Sequence, residues 1–430
     1  MEKKQNYAIP IVVMILLFGM ISFVTNLASP MGDILKHQFD IPNWQGTLGV
    51  FANFIAYAVM GIPSGNLLQK RGYKRTALIA VSVGFLGVGI QTLSGVLSSF
   101  AVYLLGAFIA GFSMCLLNTV VNPMLNQLGG GGNKGNQLIQ FGGTFNSLCG
   151  TAVIVLTGLL IPQGIDKAQI TDVFPLMYTA LAIFAVAFIV ISITNIPEKK
   201  NGSEELSKEP IRNPLTYRHF LLGAIAIFIY VGVEVGIPNV MQKWLQNPEL
   251  NILGSGVNAE AVAGSIAATY WFCMLIGRFV GGVIGSKVSA RSMIGTAATA
   301  AIVLVIVAIF APVVMVKFPA FNGANGFGLE SIPLAAALLV CTGFCTSVMW
   351  GGIFSLAVKG LGPSTEKASG IFMALVCGGG ILPLLQNGVV DIFGNTAYLT
   401  SYWIVILGFA YILFYALVGS RNVNKDIPTE

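Results

Sequence analysis

Charge is scarce in this chain. Asp, Glu, Lys and Arg make up only 9% of its 430 residues, against about 25% in a soluble domain. A body of this size could not cover itself with polar groups in water, which excludes a soluble globular fold. A bilayer is the solvent that fits. Histidine occurs twice, and there is no HExxH helix, no His-rich tract and no nucleophile elbow, so no enzyme, cofactor or metal chemistry is expected. The six cysteines, Cys115, Cys149, Cys273, Cys341, Cys345 and Cys377, all fall in apolar runs. None forms a CxxC pair or a zinc spacing, so they read as small packing residues. The net charge of +6 does not point to nucleic acid, because the basic residues stand between apolar runs and not on one face.

What is abundant is hydrophobic sequence, 55% of the chain. A spanning helix needs about 20 mostly apolar residues. Such runs lie at 9–36, 45–68, 76–98, 101–128, 137–161, 174–195, 219–245, 260–284, 291–316, 332–361, 367–390 and 398–419. The expectation is an all-α membrane protein of twelve transmembrane helices. The first run is too long for a signal-peptide core and is expected to stay in the mature chain. With the N-terminus placed in the cytoplasm, 18 of the 23 Lys and Arg residues fall on the cytoplasmic side. Lys36, Lys167, Lys243 and Lys317 fall opposite, and Arg278 lies inside a span. That asymmetry predicts a multi-pass protein of the cytoplasmic (inner) membrane with both termini inside.

One connection differs from the others. Residues 196–218 are charged and contain three prolines, whereas the other cytoplasmic turns are short. The expected division is a six-helix bundle at 1–195, a cytoplasmic loop at 196–218 and a second six-helix bundle at 219–430. Two six-helix halves around a polar loop outline the major facilitator fold, with substrate bound between the halves. Gly65 to Arg75, GNLLQKRGYKR, resembles the signature loop of the major facilitator superfamily. Gly65, Lys70, Gly72, Lys74 and Arg75 match that loop, and Gln69 stands where the superfamily usually has Asp. Gly65, Lys70, Gly72 and Arg75 are therefore expected to gate. A weaker echo, GGVIGSKVSAR from Gly281 to Arg291, occupies the equivalent place in the second half. Gly130 to Gly135 spells GxGxxG, but a membrane helix precedes it where a dinucleotide site needs a strand, so it reads as a turn.

Ionisable groups inside hydrocarbon are costly and mark function by default. Asp33, Glu234 and Arg278 are three. Asp33 reads either as an interfacial carboxylate or as a hydroxyl acceptor or ion carrier. Glu234 has apolar flanks, with Tyr230 one turn earlier on the same face. It reads as a coupling-cation site or as the ion-pair partner of Arg278, and Arg278 itself reads as structural or snorkelling. Asn118, Asn122 and Asn126 form a stripe of period four. Gln137, Gln140, Thr144 and Asn146 follow on the next run, and Gln386 and Asn387 on the eleventh. Amides donate and accept, which suits hydroxyl-rich ligands. Trp271 and Trp350 could stack on a sugar ring. The substrate-binding set is thus Asp33, Asn118, Asn122, Gln137, Gln140, Asn146, Trp271, Trp350, Gln386 and Asn387, with Glu234 and Asp33 for the cation. Interhelical hydrogen bonding is the competing explanation for the amides.

At these residues the chain resembles the fucose/galactose/glucose:proton symporter family, of the fucose permease and bacterial glucose/galactose transporter type. The resemblance is carried by Asn122-Pro123, Thr144 to Ser147, Asp33 to Leu35, Tyr230 to Val235 and Gly378 to Ile381. It implies alternating access in a monomer, with a monosaccharide as substrate and a proton or sodium as the coupling ion. Helices 1, 4, 7 and 10 line the cavity in such folds, which here implies Asp33, Asn118, Glu234 and Trp350. Fucose members carry a glutamate at the place of Asn118. Asn118 cannot titrate, so the coupling is expected at Glu234, or through sodium held by Asp33 or Glu234. A drug/proton antiporter of the same fold and a non-transporting membrane sugar sensor are the alternatives. The first would favour wide aromatic and Met-lined pockets, and the second a signalling domain for which the tails are short.

Overall fold

In the computed structural model, residues 7–39, 48–160, 168–198, 212–254, 256–323 and 326–421 are described. Ten of their segments are long and apolar enough to cross a bilayer. One, Phe51–Leu97, has 47 residues, about twice what a crossing needs. It belongs to a continuous element, Leu48–Leu97, that folds back on itself at Gly72, where φ is 77° and ψ 177°. Only glycine takes that backbone conformation cheaply. The helix Gly132–Leu160 has a polar first half and adds a further crossing of 29 residues. Twelve helices result among the described residues.

In chain order they are α1 (Ala8–Gln38), α2 (48–71), α3 (73–97), α4 (Phe100–Leu128), α5 (Gly132–Leu160) and α6 (Phe174–Ile193). The second group begins with α7 (Arg218–Gln246), α8 (Ala259–Ile284) and α9 (Ala290–Phe310). α10 is Leu334–Thr346 continued by Met349–Ala357, α11 is Thr365–Ala374 continued by Gly378–Phe393, and α12 is Ala397–Thr400 continued by Trp403–Phe414. Hydrocarbon offers no partner to an open backbone group, so each crossing closes its own hydrogen bonds as a helix. The two groups form two six-helix bundles. Each buries its own apolar seam, around Met14, Leu117 and Val121 in the first and Ile227, Ile294 and Phe354 in the second. α6 and α9 turn Ile193, Val303 and Phe310 outward, as lipid permits.

The 2–3, 4–5, 8–9 and 10–11 turns share one end of the molecule, here the basic end, with Lys70, Arg75, Lys134 and Lys287 exposed on it. The 2–3 turn there is tied down. The Glu198 carboxylate accepts from the backbone N–H groups of Tyr73 and Lys74, both at 2.8 Å. Those are the first open donors of α3, where negative charge is favoured. Lys74 Nζ donates to the carbonyls of Ser192 and Thr194 at the C-terminal end of α6, at 2.8 and 2.9 Å, where a cation is favoured. Residues 199–211 of the central loop lie outside the described residues. The 4–5 turn places Gly130, Gly131 and Gly132 at φ of 78°, 74° and 54°, and α5 then begins at Gly132, five residues before the apolar run expected from 137.

Two boundaries correct the sequence-based expectation. The ninth run was expected to reach 316, but α9 stops at Phe310. Pro312 follows, and proline excludes the preceding residue from continuing a helix. The chain then forms a hairpin of β1 (Met315–Phe321) and β2 (Phe327–Pro333), antiparallel with Lys317 opposite Ser331. The hairpin is pinned to α8: Asn322 Oδ1 accepts from Asn258 N at 2.9 Å, and Ser265 Oγ from Phe321 N at 3.0 Å. The tenth run, expected from 332, begins as a helix at Leu334, because Ile332 and Pro333 belong to β2.

Candidate functional site between the bundles

Helix α4 brings a pair of buried amides to the interface. Asn118 and Asn122 stand one turn apart, and Asn122 Nδ2 donates back to the Asn118 carbonyl at 2.9 Å. Pro123 follows and has no N–H to offer the Thr119 carbonyl. That carbonyl instead accepts from Ser369 Oγ of α11, in the other bundle, at 3.1 Å. The Asn-Pro pair thus turns a helix-internal acceptor into an inter-bundle one.

A continuous polar chain crosses the middle of the molecule here. Asn118 Nδ2 donates to the Tyr57 hydroxyl of α2 at 2.7 Å. Trp350 Nε1, from the second helical segment of α10, donates to Asn122 Oδ1 at 3.0 Å. The Trp350 ring packs between Tyr230 of α7 and Phe372 of α11, at centroid distances of 6.4 and 6.2 Å. Asn122 is fully buried and Asn118 nearly so.

Beside that chain lies the one ion pair resolved among the described residues. Glu234 Oε1 accepts from the Tyr230 hydroxyl at 2.7 Å and from Arg278 Nη2 of α8 at 3.2 Å. Both charged side chains are close to nine-tenths buried. Arg278 Nη1 donates into the first bundle, to Ser147 Oγ at 2.8 Å and the Gly143 carbonyl at 3.3 Å on α5. Toward the basic end, further donors of α5 cross the interface. Gln140 Nε2 donates to the Val348 carbonyl and Gln137 Nε2 to the Gly282 carbonyl, both at 2.9 Å. Tyr73 donates to Glu366 at 3.4 Å across the same end. Every inter-bundle hydrogen bond among the described residues lies between the mid-plane and the basic end, so this conformation is closed there.

Backbone contact closes the same end. Gly61 and Gly65 of α2 form a small-xxx-small face against Gly370 and Ala374 of α11. A Cβ on Gly370 would stand 2.5 Å from Gly65 Cα, and one on Gly65 would stand 2.9 Å from Gly370 Cα.

The residues singled out from sequence therefore separate. Asn118, Asn122 and Trp350 meet in one node, and Glu234 adjoins it through Tyr230, whose ring lies 6.4 Å from that of Trp350. Gln137 and Gln140 spend their donors on the inter-bundle seam. Asn146 donates to the Phe18 carbonyl within the first bundle at 2.7 Å, and Gln386 to Ser401 within the second at 3.2 Å. Asn387 stands beyond the node toward the opposite end, between Asn239 and Lys243. Trp271 packs edge-on against Tyr270 at 5.3 Å. Asp33 lies in α1, and its side chain is outside the described residues. Of the loop expected to gate, Gly65 makes the helix contact, Gly72 makes the fold-back, and Lys70 and Arg75 are exposed. Sequence reasoning missed Tyr57, Phe372 and the Gly61–Gly370 contact. Tyr57, Gly61 and Ser64 recur at helical spacing on one face of α2, and GxxxG at 61–65 was a visible signal for close packing.

The family model of the Major Facilitator Superfamily matches residues 11–383. A glucose/galactose transporter of Brucella abortus (strain 2308) is 29% identical over 427 residues, 98% of this chain and 96% of that protein. An L-fucose-proton symporter of Escherichia coli (strain K12) is 24% identical over 451 residues, covering 98% of this chain and 96% of its own length. Among solved structures, a major facilitator transporter, FucP, in the outward conformation aligns with a TM-score of 0.80 at 22% identity. That alignment covers 97% of this chain and 100% of the other.

Proposed function

The chain belongs to the Major Facilitator Superfamily, and from that membership we propose that it is a secondary transporter that takes up a hexose or related monosaccharide with a proton, by alternating access. The observation that carries this is the node of Tyr57, Asn118, Asn122 and Trp350 beside Glu234. It joins amide and phenol groups for hydroxyls, an indole face for a ring and one buried carboxylate for a cation. The glucose/galactose and fucose–proton names of its relatives favour the same substrate class.

In this proposal the substrate enters from the end opposite the basic one and takes over the hydrogen bonds that Asn122 and Trp350 now make to each other. A hydroxyl donates and accepts at once, so it can bridge an amide oxygen and an indole N–H. Glu234 holds the coupling proton, since Asn118 cannot. The basic end faces the cytoplasm, with both termini there, as the charge asymmetry favours. Gln137, Gln140 and the Gly61–Gly65 face serve as the inner gate rather than as sugar ligands. The bundles divide at 196–218, and one copy of the chain is sufficient for transport.

Counterflow of labelled sugars in proteoliposomes tests this. Exchange of glucose, galactose or fucose, abolished by Trp350→Ala, is the expected result. Absence of exchange with every hexose and 6-deoxyhexose, together with efflux of apolar cations, would replace it with the antiporter alternative.

A further inference from the structure

A guanidinium has five N–H donors in a rigid fork, so it can hold two partners on different sides at once. Arg278 does so across the bundle interface. Nη2 holds Glu234 at 3.2 Å on its own bundle, and Nη1 holds Ser147 Oγ and the Gly143 carbonyl on α5 of the other. We infer that Arg278 is the residue through which the charge on Glu234 sets the strength of the inner gate. This rests on the proposal that Glu234 takes the coupling proton, and it adds where that proton's effect is felt.

The physical argument starts from burial. The Arg278 side chain is 12% exposed, and a guanidinium is tolerated there because a carboxylate faces it. When Glu234 takes a proton from water, Arg278 keeps all its own, and the pair goes from net zero to net +1. The remaining acceptors, a serine hydroxyl and a peptide carbonyl, are neutral. An uncompensated buried charge is strongly unfavourable, so the closed gate loses stability against any arrangement that lets water reach the guanidinium. Separation of α5 from α8 at the basic end is such an arrangement. Gly143 allows the close approach: a Cβ there would stand 3.3 Å from Arg278 Cδ.

Among the described residues, the other groups around Glu234 do not supply a competing charge. Tyr230 on its own helix donates to it at 2.7 Å, and Tyr270 of α8 is engaged with Thr346 Oγ1 at 3.0 Å. On the helices packed against α7, Trp350 of α10 meets the Tyr230 ring at 6.4 Å and Gln386 of α11 lies against Gly236; neither Trp350 nor Gln386 titrates, and Tyr402 of α12 donates to the Ile237 carbonyl at 2.8 Å. Protonation thus weakens one end of the transporter, while the sugar is still required to close the other. Both ligands are then needed for the inward swing, which is what symport demands.

The test is amide hydrogen exchange of the full chain in lipid nanodiscs, with no sugar and no gradient, read on residues 132–143 of α5 and 278–284 of α8. Glu234→Gln is expected to raise exchange there about tenfold. Arg278→Gln should raise it to the same level, and the double variant should go no further. Ser147→Ala, which leaves the ion pair whole, should raise it less. Unchanged exchange in Glu234→Gln, or a double variant equal to the product of the singles, would overturn the inference. Exchange in α9 and the β-hairpin reports whether each variant is folded. If the charge variants lose that protection, Ser147→Ala decides, and wild-type exchange at the gate in it would overturn the inference. Because no substrate is present, a failure of counterflow would reject sugar transport and leave this link standing, and the reverse also holds.

Discussion

Asn122 makes two contacts at once: its amide N–H₂ holds the Asn118 carbonyl and its oxygen holds the Trp350 indole N–H. In the proposed sugar complex a hydroxyl bridges this oxygen and the indole, and truncation to alanine leaves that buried hydroxyl without its acceptor, a loss of about 1–3 kcal/mol. Asn122→Ala is therefore expected to weaken sugar binding about tenfold or more by calorimetry, while Gln386→Ala, whose amide turns away toward Ser401, leaves it within about twofold. Equal effects of the two would disconnect the node from the substrate. Asn118, Asn122 and Glu234 were visible as candidates in the sequence because a polar group in hydrocarbon must find a partner or a purpose. Tyr57 and Phe372 were not, since an aromatic in an apolar run looks the same whether it lines a cavity or fills a core. Gln386 and Asn146 show the limit of that logic: an amide in a span is as readily absorbed by a neighbouring helix as by a ligand.

At the scale of elements, the closed basic end is made as much by missing side chains as by hydrogen bonds. The Gly61–Gly65 face and Gly370 let the backbones of α2 and α11 touch. A side chain on Gly370 meets backbone that cannot rotate away, and overpacking of this kind costs about 1–3 kcal/mol. Gly370→Val is expected to favour separation at the basic end, seen as faster amide exchange in residues 61–71 and 365–374, and to slow counterflow. Unchanged exchange would mean that the contact is incidental. The positions of the helices were legible to within a few residues, because lipid requires long apolar runs. The β-hairpin was not. Residues 312–316, PVVMV, are apolar enough to extend a span by composition, and the alternation of Val316, Phe318 and Ala320 is short enough to be hidden. Pro312 was the physical signal that ends α9.

For the whole molecule, two bundles and one polar interface were predicted from spacing and charge, and the fold has both. The conformation was not predictable, since the same sequence must close at either end in turn. What selects the present one is visible only in three dimensions, in the Arg278 fork, the two glutamines of α5 and the glycine contact of α2 with α11. The orientation proposed from charge has its own test. Lys134→Cys on the basic end should be labelled by a membrane-impermeant thiol reagent only in inverted vesicles, and Lys317→Cys on the hairpin only in right-side-out cells. The opposite pattern would invert the topology.

The most direct measurement is labelled-hexose uptake by proteoliposomes under an imposed inward proton gradient, for the wild type and Glu234→Gln. Accumulation above the external concentration in the wild type is expected, collapsed by a protonophore. In Glu234→Gln, accumulation should be lost while sugar counterflow persists. Undiminished concentrative uptake in Glu234→Gln, or wild-type uptake indifferent to the proton gradient, would contradict proton coupling through Glu234.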